Sequence, residues 1–181
     1  PHVGRARNAL IGDSLVRIYR FLGYKVEAHY LVNDIGKQVA YLVLGCKGKP
    51  RFNQLLDIYI KINKLAEKDN NIEKQALDLL ARLEKGDKKI IAKFKQVVDI
   101  CINGQKAIFS DMGIEYDKFD YESSYLWNKE INNVLNKLEA TGKVFTDEHG
   151  RKVLNQEEFE FAMRESLLVL TRADGTSLYP L

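Results

Sequence analysis

The chain has 181 residues, 45% of them apolar and 29% charged with both signs interspersed, enough to bury one good core and a small appendage in a globular protein. A formal net charge of +3 permits a polyanionic partner without requiring one, and no apolar run reaches the roughly 18 residues that span a bilayer, so no membrane association is expected. Cys46 and Cys101 stand far apart, with no CxxC spacing and no histidine in ligand register, which argues against a disulfide framework or a zinc site and for a reducing, cytoplasmic setting.

Pro1-His2-Val3-Gly4-Arg5-Ala6-Arg7-Asn8 runs with almost no spacer into Ile11, Leu15, Ile18 and Leu22. Gaps of four, three and four residues put these on one apolar face of a helix over about 7–22. A histidine and a glycine just ahead of a helix start suit a phosphate, because the first-turn amides and the positive end of the dipole face any anion placed there. Arg5 and Arg7 are locally wrong for that dipole, which hints at an anionic ligand. His2 reads either as a donor to such a ligand or as an ordinary loop histidine. Gly23 can take the left-handed conformation that ends a helix. Residues 25–32 read as a strand closed by Asn33-Asp34, and residues 37–44 as a helix after a turn through Ile35-Gly36. A preceding strand, the first helix and this strand would form a right-handed βαβ unit. Its ligand rim would carry both His2-Val3-Gly4 and Asn33-Asp34-Ile35-Gly36.

From Pro50 to Gly113 helical stripes follow one another with no strand between them. Leu55, Tyr59, Ile62 and Ala66 form the first, Ile72, Ala76, Leu79 and Leu83 the second, and Ile91, Phe94, Val98, Cys101 and Ile102 the third. Asp69-Asn70-Asn71 and Gly86-Asp87 punctuate them, giving a helical insertion beside an α/β unit. Lys85, Lys88, Lys89, Lys93 and Lys95 read first as a solvated face and second as contacts for RNA phosphates. Residues 114–121 alternate as a strand, 128–138 as an amphipathic helix closed by Thr141-Gly142, and 143–146 with 152–154 as a hairpin around Asp147-Glu148-His149-Gly150. Residues 166–171 read as a buried strand that the turn Arg172-Ala173-Asp174-Gly175-Thr176 leads out of, into Ser177-Leu178-Tyr179. His29 is expected to be a core or interface histidine and His149 a solvent one. Asp13 and Ser14 read as surface or helix-packing residues, the cysteines as small hydrophobes, and Tyr179, on pattern alone, as core. No GxSxG elbow and no GxxxxGK[ST] loop occurs.

Taken in order, three blocks resemble the catalytic domain of the arginyl-tRNA synthetases, a class I aminoacyl-tRNA synthetase family. His2-Val3-Gly4-Arg5 is similar to the class I HxGH signature and is followed by Ala6-Arg7-Asn8 and Ile11-Gly12-Asp13-Ser14-Leu15. Asn33-Asp34-Ile35-Gly36-Lys37-Gln38 resembles the family's D-x-G-x-Q segment, and Arg172-Ala173-Asp174-Gly175-Thr176-Ser177-Leu178-Tyr179 its S-D-G-T-x-x-Y block. Two positions depart from the pattern, with Arg5 where the second signature histidine is expected and Ala173 where serine is usual. The resemblance implies an α/β fold, part of a Rossmann-like parallel sheet with a helical insertion. Residues 1–49 would be the first part of the nucleotide-binding half, 50–113 the insertion and 114–181 the continuation of the catalytic domain. It implies activation of L-arginine by ATP, with Mg2+ accompanying ATP, and transfer to tRNA(Arg), tRNA generally being needed for the activation step. By this resemblance His2 and Arg5 are catalytic, His2, Gly4 and Arg5 bind ATP, and Tyr179, Arg5 and Gln38 bind arginine. A chain that begins at Pro1-His2 and stops at Tyr179-Pro180-Leu181 is expected to be a fragment, inactive alone, because the KMSK-type loop and the anticodon-binding domain are not in it. The competing expectation is a synthetase-derived module that binds ATP, arginine or RNA without completing aminoacylation. Arg5 favours that second reading, and the otherwise intact blocks favour the first.

Overall fold

The computed structural model of the chain describes residues 3–127, 130–157, 166–175 and 177–178, the side chains of residues 3–5 and 127 excepted. They divide into two compact units, residues 1–123 and 124–181. The first contains α1 (Val3–Phe21), β1 (His29–Val32), α2 (Lys37–Gly45), a 3-10 turn (Phe52–Gln54), α3 (Leu55–Ala66), α4 (Asn70–Glu84), α5 (Lys88–Asp111) and β2 (Lys118–Tyr121). β1 and β2 pair in parallel, His29 opposite Lys118 and Val32 opposite Tyr121. A parallel pair needs a long crossover, and here α2 to α5 supply it. Mixed α/β architecture with a helical insertion is therefore what the chain adopts.

Three boundaries differ from expectation. α1 starts at Val3 rather than near Arg7, so Gly4 and Arg5 lie inside its first turn instead of in a loop ahead of it. Gly23 does end the helix, at φ +87°, with Gly23 N–H on the Arg20 carbonyl and Tyr24 N–H on that of Tyr19. Strands expected over 25–32 and 114–121 shrink to four residues each. The reason lies at Ala28, whose N–H donates to the Asp117 carboxylate at 2.6 Å, so a side chain takes the amide on which the ladder would otherwise continue.

The three helical stripes become α3, α4 and α5. Asp69 caps α4 by accepting from Asn71 N–H at 2.9 Å, and Asp87 caps α5 by accepting from Lys89 and Ile90 N–H. Ala76, Leu79, Leu80 and Leu83 of α4 and Ile90 and Phe94 of α5 are buried together with Ala40 and Tyr41 of α2. α5 is the spine of the unit, about 36 Å long at 1.5 Å per residue. Its Ile90 and Phe94 enter that cluster, Val98 and Ile102 pack beneath Val32 of β1, and Phe109 meets Ala9 of α1 and Ile114. By contrast, the α1 stripe of Ile11, Leu15, Ile18 and Leu22 is 50–62% exposed.

Gly104 of α5 is fixed by close approach. A Cβ there would stand 2.2 Å from the Phe52 ring, so the preference of a helix for alanine over glycine, worth about 1 kcal/mol, is outweighed by overpacking. Gly104→Ala is expected to destabilise by about 1–3 kcal/mol in urea unfolding. Phe52→Ala combined with it should lose less than the two single changes together; strict additivity would mean that ring and helix do not meet.

In the second unit α6 (Ser123–Trp127), which the sequence pattern did not suggest, leads to α7 (Glu130–Glu139). β3 (Val144–Thr146), β4 (Lys152–Asn155) and β5 (Leu167–Val169) then form an antiparallel sheet in that order. Asp147 makes the expected hairpin turn by accepting from His149 and Arg151 N–H. Val153 and Leu170 are 1% exposed, yet Leu167 is 43% exposed. β5 is thus short and one-sided rather than buried throughout, because only β4 pairs with it among the described residues. Beyond it Thr171 bridges to Ser177 around the turn that Gly175 closes on the Arg172 carbonyl.

Candidate functional site

β1 fixes the direction of everything around it. Arg20, in the last turn of α1, donates to the Val26 carbonyl at 3.0 Å and to Asp117 at 2.6 Å, just before the strands begin. Asn8 and Ala9, near the start of α1, line a hollow of about 330 Å³ with Tyr30 and Leu31 of β1 and Gln105, Phe109 and Tyr116. α1 therefore runs antiparallel to β1, and its first turn, with Gly4 and Arg5, extends toward the carboxyl end of the parallel pair. That is the end at which Asn33-Asp34-Ile35-Gly36 leaves β1. Ligands of open α/β sheets bind outside the carboxyl ends of the strands.

Backbone and side chain tie this rim together. Glu122 N–H donates to the Val32 carbonyl at 3.0 Å, and Ser123 N–H to the Asp34 carboxylate at 2.8 Å. The ends of β1 and β2 are thereby joined just past the last ladder residues. Burial first, and the neighbouring Asp34 carboxylate second, push Glu122 above the usual carboxylate range. Gly36 is the N-cap of α2 in an extended conformation, φ −77°, and a Cβ on it would meet only the tip of the exposed Asn33 side chain, which can turn away. Gln38 is exposed in the first turn of α2. His2 and Tyr179, expected at this site, lie outside the described residues. Glu122, Ser123, Gln105 and Tyr116 were not singled out from sequence, since only the parallel pairing and the course of α5 bring them near β1.

His29, expected in the core or at an interface, is excluded from the core. It is exposed on the face of β1 away from α5, its Nδ1 2.6 Å from Asp120 and its Nε2 3.2 Å from Glu27, which also binds Lys118 at 2.9 Å. Alternation puts Tyr30 and Val32 on the α5 side and leaves His29 and Leu31 opposite. The hydrogen bond to the Asp120 carboxylate first, and that to the Glu27 carboxylate second, raise the imidazole above its ordinary value. A raised folded value gives stability that is complete below the unfolded pKa, roughly 6.5, and lost as pH rises through the folded one. His29→Gln is therefore expected to lower Tm at acidic pH near 5.5 and to have a shrinking effect as pH is raised toward 9, as the imidazole loses its proton. A loss that does not change with pH would show that packing, not charge, is at stake.

The cysteines behave as small hydrophobes. Burial pushes the Cys101 thiol up to about 11 and raises Cys46 as well, so thiolate is scarce at neutral pH.

Comparison with solved structures places this architecture in one class. The arginyl-tRNA synthetase of Plasmodium falciparum superposes with a TM-score of 0.75 at 19% identity, covering 98% of this chain and 30% of that one. That of Thermus thermophilus gives 0.68 at 22%, over 98% and 31%. The chain thus shares its fold with those arginyl-tRNA synthetase structures. A family model described as tRNA synthetases class I (R), catalytic domain, matches residues 1–181. Arginine–tRNA ligases of Methanocaldococcus jannaschii and Methanococcoides burtonii are 39% and 38% identical over 98% of the chain. The chain belongs to the arginyl-tRNA synthetase catalytic-domain family. It spans about a third, 32%, of the length of these relatives.

Proposed function

We propose that the chain is part of an arginyl-tRNA synthetase catalytic domain, in which ATP activates L-arginine to arginyl-adenylate and the arginyl group then passes to tRNA(Arg). The observation that supports this best is the shared end of the parallel pair, reached both by the start of α1 and by Asn33–Gly36, in a chain matched to that family along its whole length. In this reading residues 1–49 are the first part of a Rossmann-like nucleotide-binding half, 50–113 the insertion and 114–181 the continuation. His2, Gly4 and Arg5 face ATP, and Arg5, Gln38 and Tyr179 face arginine. Mg2+ enters with ATP as its phosphate counter-ion. First-turn amides of α1, which have no partner within the helix, stabilise phosphate charge as the arginine carboxylate attacks the α-phosphorus, forming the mixed anhydride and expelling pyrophosphate. Such catalysis is positioning and electrostatics rather than covalent work by the protein. The reaction is cytoplasmic in this proposal, and among the described residues no helix is long and apolar enough to cross a membrane.

The test is arginine-dependent ATP–pyrophosphate exchange by a protein of the relatives' full length carrying this chain, with tRNA(Arg) present. Exchange above the arginine-free rate is expected. Binding of ATP or arginine without exchange would instead favour a module that holds these ligands and does not activate them.

A further inference from the structure

We infer that Asp34 is a positioning residue for arginine binding: by holding the main chain just past β2, its side chain fixes the turn that carries Gln38. The inference rests on the synthetase reading, in which Gln38 faces arginine.

The turn Asn33–Gly36 leaves the carboxyl end of β1 and enters α2, of which Gln38 is the second residue. The turn does little to fix itself. Gly36 caps α2 without a side-chain hydrogen bond, and Asn33 is exposed. Ile35 packs against the cluster that holds Ala40 and Tyr41, but apolar contact is non-directional and does not set the position of the main chain. A hydrogen bond does. The Glu122 N–H on the Val32 carbonyl, at 3.0 Å, ends at β1 itself, whereas the Ser123 N–H on the Asp34 carboxylate, at 2.8 Å, reaches into the turn.

That second bond is shielded from water. Ser123 is 9% exposed and Asp34 half-buried. If the acceptor is removed, the Ser123 N–H is left buried without a partner unless the turn or the end of the strand moves to admit water. Gln38, four residues beyond Asp34, moves with the turn. A displacement of about 1 Å in a substrate-positioning group can cost up to about 100-fold.

The start of α1, which faces ATP in the same reading, is held by other contacts. Arg20 ties α1 to the Val26 carbonyl and to Asp117, and Ala9 packs against Phe109 and Ile114. None of these passes through Asp34. Loss of the Asp34 bond is therefore felt by arginine and not by ATP, a separation that a general loss of stability does not produce. Asparagine keeps the accepting Oδ1 and drops the charge, so Asp34→Asn separates positioning from a direct grip on a cationic substrate.

The test is ATP–pyrophosphate exchange with tRNA(Arg) present, in a protein of the relatives' full length carrying this chain, for wild type, D34A, D34N, Q38A and D34A/Q38A. Hydrogen exchange at the Ser123 amide is measured alongside. D34A is expected to raise the KM for arginine about tenfold, to leave the KM for ATP within about twofold, and to speed exchange at Ser123. D34N is expected to stay within about threefold of wild type for arginine, with the Ser123 amide still protected. Because Asp34 acts through Gln38, D34A/Q38A should raise the arginine KM no more than about twofold beyond Q38A alone. Should D34A not fold, D34E takes its place, keeping the charge and displacing the acceptor. Damage by D34N equal to that by D34A would overturn the inference, because the charge itself would then meet the substrate. Equal rises in both KM values, full additivity with Q38A, or an unchanged Ser123 amide in D34A would overturn it as well. Absence of exchange by wild type removes the synthetase reading and this inference together; arginine-dependent exchange that D34A leaves unaltered removes this inference alone.

Discussion

Replacing Phe94 by alanine is expected to cost about 3–5 kcal/mol, read as a lower midpoint of urea unfolding at unchanged slope. Its side chain is 2% exposed and lies among Tyr41 of α2, Leu79, Leu80 and Leu83 of α4 and Ile90 of α5. The cost of such a cavity depends on whether its walls can collapse. Here they are poorly able to, because Ala40 and Ala76, both 0% exposed, have no longer side chain to swing into the gap. The capped starts of α4 and α5 also resist a shift of either helix. Phe94→Leu, which keeps most of the volume, should cost less than about 1.5 kcal/mol. Ile18→Ala on α1, where the side chain is 54% exposed, should stay within about 0.5 kcal/mol. A loss at Phe94 no larger than at Ile18 would sink the assignment of the core.

The contrast between Phe94 and Ile18 shows what periodicity can and cannot tell. Both belong to apolar stripes at helical spacing, and both stripes are helices in the structure. The spacing reports which side of a helix is apolar; it carries no information on what lies against that side. For α3 to α5 the neighbours follow at once in the chain, joined by short turns that Asp69 and Asp87 cap, so the packing was legible along with the helices. For α1 it was not. The parallel pairing of β1 with β2 was hidden for a related reason, since its partners are separated by the whole insertion and no local signal selects them. His29 shows the same blindness on a smaller scale. Alternation separates it from Tyr30 and Val32, but only the packing of α5 beneath the latter decides which side is buried. Of the candidate site, Asn33–Gly36 and the start of α1 were legible as motifs, and their common end as an expectation of βαβ geometry. Glu122 and Ser123 were not, because they reach the rim through β2.

Arg5→Ala is expected to move two measurements in opposite directions. α1 begins at Val3, which puts Arg5 in the first turn, beside amide groups that have no partner within the helix. A cation there opposes the positive end of the helix dipole by about 0.3–1 kcal/mol, so its removal should slightly raise the stability of the ligand-free chain. An anion at the same place reverses the balance. If Arg5 grips a phosphate of ATP, its loss should weaken ATP binding by about 1–3 kcal/mol, the range of a charge-assisted hydrogen bond. The binding measurement is the concentration of ATP giving half-maximal arginine-dependent pyrophosphate exchange, in a protein of the relatives' full length with tRNA(Arg) present. Arg5→His should recover part of the loss, because an imidazole can still donate to phosphate while carrying less charge at neutral pH. A mere packing defect would lower stability and ATP binding together. Unchanged exchange at limiting ATP, alongside a more stable chain, would show that Arg5 points away from the nucleotide, and the ATP contact would then fall to His2 and the first-turn amides alone.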